Sequence, residues 1–311
     1  MNYIARGLFK NPHINTCFPT LFRKVEISYK RERILLKDGD FLDLDTIKRG
    51  NKNAIVLCHG LEGSSKSRYI LGMAKYFSER NWDVIAINYR GCSGEMNSKP
   101  FFYHSGATGD LEEVLKTTEG YDKVFLIGFS LGATLILRYL ATGNFFPKNL
   151  QGSSVVSPPC DLKSSSLAIS KKENLIYNKY FLRKLKKKII LKHKIFPDII
   201  PLKEIIQCKS LYDFDNCFTA KINGFKDAED YYEKSSSKPY LHKITIPTLI
   251  ITPLDDPIMG KECYPVEECK KNPYLTLETP KYGGHIGFAT LKNFPYWQEI
   301  RIYNFFENLE K

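Results

Sequence analysis

The segment KVFLIGFSLGATLILRYL, residues 123–140, restricts the possible folds of this chain more than any other. An apolar run leads into Gly128-Phe129-Ser130-Leu131-Gly132, and an apolar stretch of helical character follows. A G-x-S-x-G pentapeptide in that setting marks a serine on a sharp strand-to-helix turn. Both flanking positions must be small for the backbone to approach closely, and Gly128 and Gly132 supply that. The rest of the chain has the rhythm of a matching sheet. Short apolar runs at 54–58, 84–87 and 124–127 alternate with helical stretches at 69–80 and 110–118, which predicts parallel strands joined by helical crossovers. Residues 153–157 and 248–252 repeat the strand pattern, and 274–277 does so more weakly. Ahead of them, residues 25–47 alternate apolar and polar around Asp38-Gly39, the signal of an antiparallel hairpin. The expected class is α/β: a mostly parallel central sheet, opened by an antiparallel hairpin, with helices on both faces.

Between Pro158 and Pro247 this rhythm breaks into a polar, lysine-rich stretch of roughly helical period. The expected organisation is a core formed by residues 1–157 and 247–311, with residues 158–246 inserted as a helical cap. Within the insert Phe181, Leu185 and Ile189 recur every four residues, while Arg183, Lys184, Lys186, Lys187 and Lys188 fill the other positions. That is a basic amphipathic helix. Its plain reading is a cap helix with a solvated face; the alternative is peripheral contact with an anionic membrane through Lys184, Lys186, Lys187 and Lys188.

Composition narrows the partners. With 43% hydrophobic and 26% charged residues the chain is of ordinary globular make-up, neither disordered nor fibrous. Forty-six Lys and Arg against 34 Asp and Glu give +12, which favours anionic partners. Charge alone does not make a nucleic-acid binder, and with no recognised module none is expected. The eight cysteines are scattered without paired metal spacing, so reduced, mostly buried thiols are expected. The start lacks the apolar core of a secretory signal, and no run reaches the roughly 18 apolar residues of a spanning helix, so the expected location is cytoplasmic.

A serine hydroxyl is a poor nucleophile near neutrality and needs a general base whose tautomer is fixed by a third group. Where a G-x-S-x-G turn carries the nucleophile, the chain order is serine, acid, histidine. After the strand candidate TLIIT comes Pro253-Leu254-Asp255-Asp256-Pro257, and after YLTLETP comes Lys281-Tyr282-Gly283-Gly284-His285-Ile286-Gly287-Phe288. Both follow strand ends, where an open α/β sheet builds its site. His285, among Gly283, Gly284 and Gly287, is the candidate base. Asp256 is the candidate acid by its position past the strand, with Asp255 as the alternative. Ester cleavage puts negative charge on the carbonyl oxygen, which preorganised N–H groups must meet. Leu131, following the nucleophile, is one candidate donor; Leu61, in the loop His59-Gly60-Leu61-Glu62-Gly63, is the other. This chemistry calls on no cofactor and no metal.

Several segments together resemble the α/β-hydrolase superfamily, and within it the YheT-like branch. They are Asn11-Pro12-His13-Ile14-Asn15-Thr16, HGLEGSSKSRY at 59–69, NYRGCSGEMN at 88–97, Tyr103-His104-Ser105-Gly106, GFSLGA at 128–133, FDNCFTAKINGFKDAEDYY at 214–232, DDPIM at 255–259 and GGHIGF at 283–288. Asn15 stands where the branch usually carries Gln. The resemblance implies a hydrolase with a helical cap and a Ser130–Asp256–His285 triad. Bacterial members resemble esterases of short acyl esters, and eukaryotic ones are associated with lipid and phospholipid esters. The expected function is therefore serine-dependent carboxylic-ester hydrolysis, as in a carboxylesterase or lipase. Its rivals are acyl transfer or thioester cleavage by the same triad, and non-catalytic lipid or membrane-surface binding. The resemblance also marks His13, His104 and Arg90-Gly91-Cys92-Ser93-Gly94, for which structural roles are expected; Arg90 is expected to hold a loop through carbonyls.

Overall fold

The computed structural model describes residues 3–309. Eight strands form one sheet: β1 (Lys30–Leu35), β2 (Phe41–Ile47), β3 (Asn53–Cys58), β4 (Trp82–Asn88), β5 (Lys123–Phe129), β6 (Leu150–Val156), β7 (Thr248–Ile251) and β8 (Leu275–Glu278). Their order is β1-β2-β4-β3-β5-β6-β7-β8. Strand β2 runs antiparallel to β1 and to β4, and the remaining pairs are parallel. The expected α/β architecture, with its opening hairpin turning at Asp38-Gly39, is what the chain adopts.

The central strands are apolar on both faces because helices cover both. Eleven-residue α1 (Pro12–Phe22) precedes the sheet; α2 (Arg68–Ser78), α3 (Thr108–Lys116) and α4 (Leu131–Thr142) are crossovers. Side chains alternate along β3: Val56 joins Val114 of α3 and Leu135 of α4 in one core cluster, while Ile55 and Leu57 join Ile70 and Phe77 of α2 in the other. Chain order reverses at β3, flanked by β4 on one side and β5 on the other, so a crevice opens beyond the carboxyl ends of β3 and β5.

Between β6 and β7 the chain leaves the sheet for α5 (Leu162–Ile169), α6 (Leu175–Ile195), α7 (Leu202–Gln207), α8 (Leu211–Phe214), a π-helical turn (Asp215–Thr219), α9 (Ala220–Ile222) and α10 (Ala228–Ser235). After β7, α11 (Val266–Lys271) leads to β8, and α12 (Trp297–Leu309) returns to pack on the α2 face.

Helix α6 corrects the sequence reading of the basic stretch. Its buried stripe is Leu182, Leu185, Lys188, Ile189 and Lys192, with Phe181 only half-buried. Two lysines face inward because each ammonium finds a buried partner: Lys188 meets the Glu62 carboxylate at 2.6 Å, and Lys192 donates to Asn97 O and Oδ1 at 2.7 and 2.8 Å. Arg90 also differs from expectation, pairing with the carboxylates of Asp38, Asp40 and Asp110 at 2.7–2.9 Å instead of carbonyls. Among the described residues no helix is long and apolar enough to cross a membrane.

Candidate functional site

Ser130 sits between β5 and α4 at φ +52° and ψ −121°, a conformation that side-chain-bearing residues hold only when their surroundings force it. Here the forcing is visible. Its N–H is bonded to Val156 O at 2.9 Å, and its carbonyl accepts from Ala133 and Thr134 in the first turn of α4. A Cβ at position 132 would lie 2.5 Å from the carbonyl oxygens of Cys58 and His59, and one at 128 would lie 2.7 Å from Gly132 O. Glycine at both positions lets β3, β5 and α4 meet and pushes the hydroxyl outward.

The loop after β8 brings the His285 ring to that hydroxyl, with Nε2 2.9 Å from Ser130 Oγ. Nδ1 lies 2.9 Å from Asp256 Oδ2 and 3.2 Å from Oδ1. Nδ1–H therefore donates to the carboxylate, leaving the Nε2 lone pair to accept from the serine. Asp256, buried just past β7, also accepts from Ile258 N–H at 3.0 Å. Of the two candidate acids, Asp256 reaches the ring. Asp255 instead accepts from Gly284 N–H at 2.9 Å, and burial pushes its carboxyl up.

Supports for this loop come from α1, which sequence reasoning did not single out as functional. Thr16 Oγ1 accepts from His285 N–H at 2.8 Å, and the fully buried Asn15 accepts from Ala289 N–H at 2.8 Å while donating to Phe9 O. The only signal in the text was that both belong to the Asn11–Thr16 segment. His13 stacks on Tyr177, its Nδ1 3.0 Å from the Tyr177 hydroxyl, and so joins α1 to α6.

In the loop after β3, Gly60 N–H donates to Tyr69 Oη, Glu62 N–H to Tyr103 Oη and Gly63 N–H to Gly60 O, at 3.0, 2.7 and 3.0 Å. Among the described residues Leu61 N–H has no such partner, nor does Leu131 N–H at the first turn of α4. Two amides are thus left to donate beside Ser130, one at a helix N-terminus. His59 has both ring nitrogens engaged, Nδ1–H donating to Gly60 O at 2.7 Å and Nε2 accepting from Tyr89 N–H. Burial drives its pKa down to about 3, so it is a neutral loop brace.

A cavity of about 130 Å³ opens from Ser130 and His285. Its walls include Leu61 and Leu131 from the core, and Phe181, Leu185, Phe218 and Asp215 from the β6–β7 insert. His104 lines it too. Its Nδ1 accepts from Gly106 N–H at 3.1 Å, and burial lowers its pKa to about 4. Cys92, 3.3 Å from Lys188 Nζ, has its thiol pushed up by burial, which keeps it protonated. The four lysines considered for membrane contact are mostly spoken for: Lys184 and Lys186 donate to carbonyls of Glu62, Ile206 and Cys208, Lys188 is buried against Glu62, and Lys187 is exposed. Among the described residues no group of three or more His, Cys, Asp or Glu could hold a metal. The arrangement can take a proton from one hydroxyl while offering two amides to a developing anion.

Residues 53–184 match the model of a family described as the alpha/beta hydrolase fold. The chain is 35% identical to the candidate esterase YheT of Escherichia coli strain K12, over 96% of this chain and 91% of that protein. It is 30% identical to the phospholipase ABHD3 of Homo sapiens, over 87% and 69% respectively. Among solved structures, the Pyrococcus furiosus esterase Pf2001 superposes with a TM-score of 0.61 at 18% identity, covering 99% of this chain and 96% of that one, a likeness of fold.

Proposed function

The chain belongs to the α/β-hydrolase family, in its YheT-like branch of esterase- and lipase-type enzymes, and from that premise we propose that it is a serine hydrolase of carboxylic esters. The observation that carries the reading is the continuous hydrogen-bond line from Asp256 through His285 to Ser130 Oγ, 2.9 Å at each step, with the Leu61 and Leu131 amides, unpaired among the described residues, at its Ser130 end. In this reading His285 Nε2 removes the hydroxyl proton as Oγ adds to the ester carbonyl carbon. Asp256 holds the Nδ1–H tautomer and stabilises the imidazolium. Negative charge moves onto the carbonyl oxygen, where Leu61 and Leu131 N–H donate to it. Collapse expels the alcohol, which takes the proton back from His285, and leaves Ser130 acylated. Water then repeats the sequence to release the acid.

We further read residues 158–246 as a cap over this centre. Phe181, Leu185 and Phe218 line the cavity, which favours an apolar acyl portion. The names of the bacterial esterase and human phospholipase relatives support esters, phospholipid esters among them, as the substrate class. An organophosphonate ester probe is expected to label wild-type protein on Ser130 and to leave Ser130→Ala unlabelled. A folded wild-type protein that neither reacts with the probe nor hydrolyses any ester of a nitrophenyl chain-length series overturns the proposal.

A further inference from the structure

The loop that carries Leu61 is held at one residue by a helix of the insert. Glu62 adopts φ +52°, the left-handed region, which is strained for a side-chain-bearing residue and persists only when neighbours impose it. The N–H, the carbonyl and the Oε1 oxygen of Glu62 are all engaged. Its N–H donates to Tyr103 Oη at 2.7 Å, and that hydroxyl donates back to Oε1 at 3.0 Å. Its carbonyl accepts from Lys184 Nζ at 3.1 Å, and its carboxylate pairs with Lys188 Nζ at 2.6 Å. The two lysines lie one turn apart on α6, more than 120 residues from Glu62 in sequence. The ion pair is nearly sealed from solvent, with side-chain exposures of 10% for Lys188 and 6% for Glu62. The Lys188 ammonium also stands 5.1 Å from the Phe102 ring centre.

A buried carboxylate stripped of its cation is strongly unfavourable, so removing Lys188 drives Glu62 to move toward water. The Gly60–Leu61 peptide, one residue back in the same loop, carries the Leu61 N–H, so a shift at Glu62 displaces that donor. We propose that Lys188, with Lys184, is a positioning residue for the oxyanion site, so that docking of α6 on the loop aims Leu61 N–H at the developing anion. This rests on the serine-hydrolase reading of Ser130 and His285. It assigns the insert a part in the chemical step in addition to shaping the cavity.

The test compares wild type, Lys188→Met, Lys188→Arg, Lys184→Met and Glu62→Gln on one short-chain nitrophenyl ester. Loss of an oxyanion donor lowers kcat by about 10²–10³. A donor left in place but mis-aimed is expected to lower kcat by roughly 10–100-fold in Lys188→Met, with KM changed less than threefold. Lys188→Arg is expected to recover most of the rate, and Lys184→Met to lose less than tenfold. The second readout is a trifluoromethyl ketone of the same acyl chain. Ser130 Oγ adds to its carbonyl carbon, the proton passes to His285 and the negative charge rests on the ketone oxygen. Its inhibition constant is expected to weaken in parallel with kcat/KM, whereas an unreactive ether analogue binds as before. A merely structural ion pair would lower the unfolding temperature without that parallel. Equal kcat in wild type and a folded Lys188→Met overturns the proposal. Should Lys188→Met fail to fold, the same criteria apply to Glu62→Gln, which keeps its Tyr103 bonds. An inactive, unlabelled wild type overturns the hydrolase reading instead, so the two failures are distinguishable.

Discussion

The sheet core and the β6–β7 insert are stabilised in different ways, and the difference separates the groups proposed to react from the groups proposed to position them. In the core, strands β3 to β6 are almost wholly buried and their backbone groups are paired with neighbouring strands. Ser130, Asp256, His285 and Leu61 hang just beyond the carboxyl ends of β5, β7, β8 and β3, so one rigid edge sets their spacing. Apart from the 21-residue α6, the insert consists of short helices joined by side-chain bonds: Ser210 and Asp213 form a capping box, Asn178 bridges to Lys209 O and Leu211 N–H, and Tyr232 Oη donates to Asp215. A change in the core should therefore act on the chemical step or on the whole fold. One in the insert should act more locally, through the cavity wall or through Lys188.

The sharpest test of the core half is the acid. Asp256→Asn should lower kcat/KM by about 10⁴, because an amide leaves His285 in the wrong tautomer while its position is kept. Asp255→Asn, which touches Gly284 N–H instead of the ring, should cost less than about tenfold. Steady-state kinetics of the two variants on the same ester decide it. Comparable losses in both would break the separation of roles between neighbouring carboxylates.

Glycines allow a matched comparison across the two regions. Gly132→Ala forces a Cβ to within 2.5 Å of two carbonyl oxygens of β3 and its loop. Backbone must shift, with an expected loss of roughly 2–3 kcal/mol in stability and a fall in kcat, since the same shift moves Ser130 from the Leu61 loop. Gly224, in the insert at φ +77°, has open space around its absent Cβ. Gly224→Ala should cost only about 1 kcal/mol of backbone strain and leave kcat unchanged. Urea unfolding and initial rates on both variants are the measurement; a larger loss at 224 would mean that the insert is the more tightly specified part.

The same division explains what could be read from the text. Strands β3 to β7 are apolar runs bounded by turn residues, so their positions were legible, as was the hairpin at Asp38-Gly39. Ser130 and His285 stood out because glycines surround them where a backbone must come close. Asp255 and Asp256 are adjacent and chemically identical, so position past the strand favours Asp256 in the sequence, and the three-dimensional arrangement sets it against the imidazole and Asp255 against a backbone amide. Lys188 reads as solvated in the sequence because a lysine's inward turn depends on a carboxylate 126 positions away, and such pairing leaves no period in the sequence. Thr16, 269 positions from His285, was hidden for the same reason.

The smallest expected effect sharpens the insert half. Asp215 opens the π-helical turn and lines the cavity, its carboxylate accepting from Tyr232 Oη at 2.8 Å. Among the described residues no ammonium or guanidinium pairs with it, and burial raises its pKa to about 6. Unfolded, the same carboxyl titrates near 3.9. Between those values the folded chain keeps a proton that the unfolded chain has released, so this group's stabilising contribution is complete below about pH 4 and disappears as pH rises through about 6. Asp215→Asn, which keeps a hydrogen-bond acceptor for Tyr232 and cannot ionise, should gain on wild type over that interval by about 1–3 kcal/mol. Other groups titrate identically in both proteins, so the difference between their urea unfolding free energies from pH 4.5 to 8 isolates the effect. A difference that does not vary with pH would mean that the Asp215 carboxyl is ionised throughout, with a cation or water supplying what the cavity wall does not.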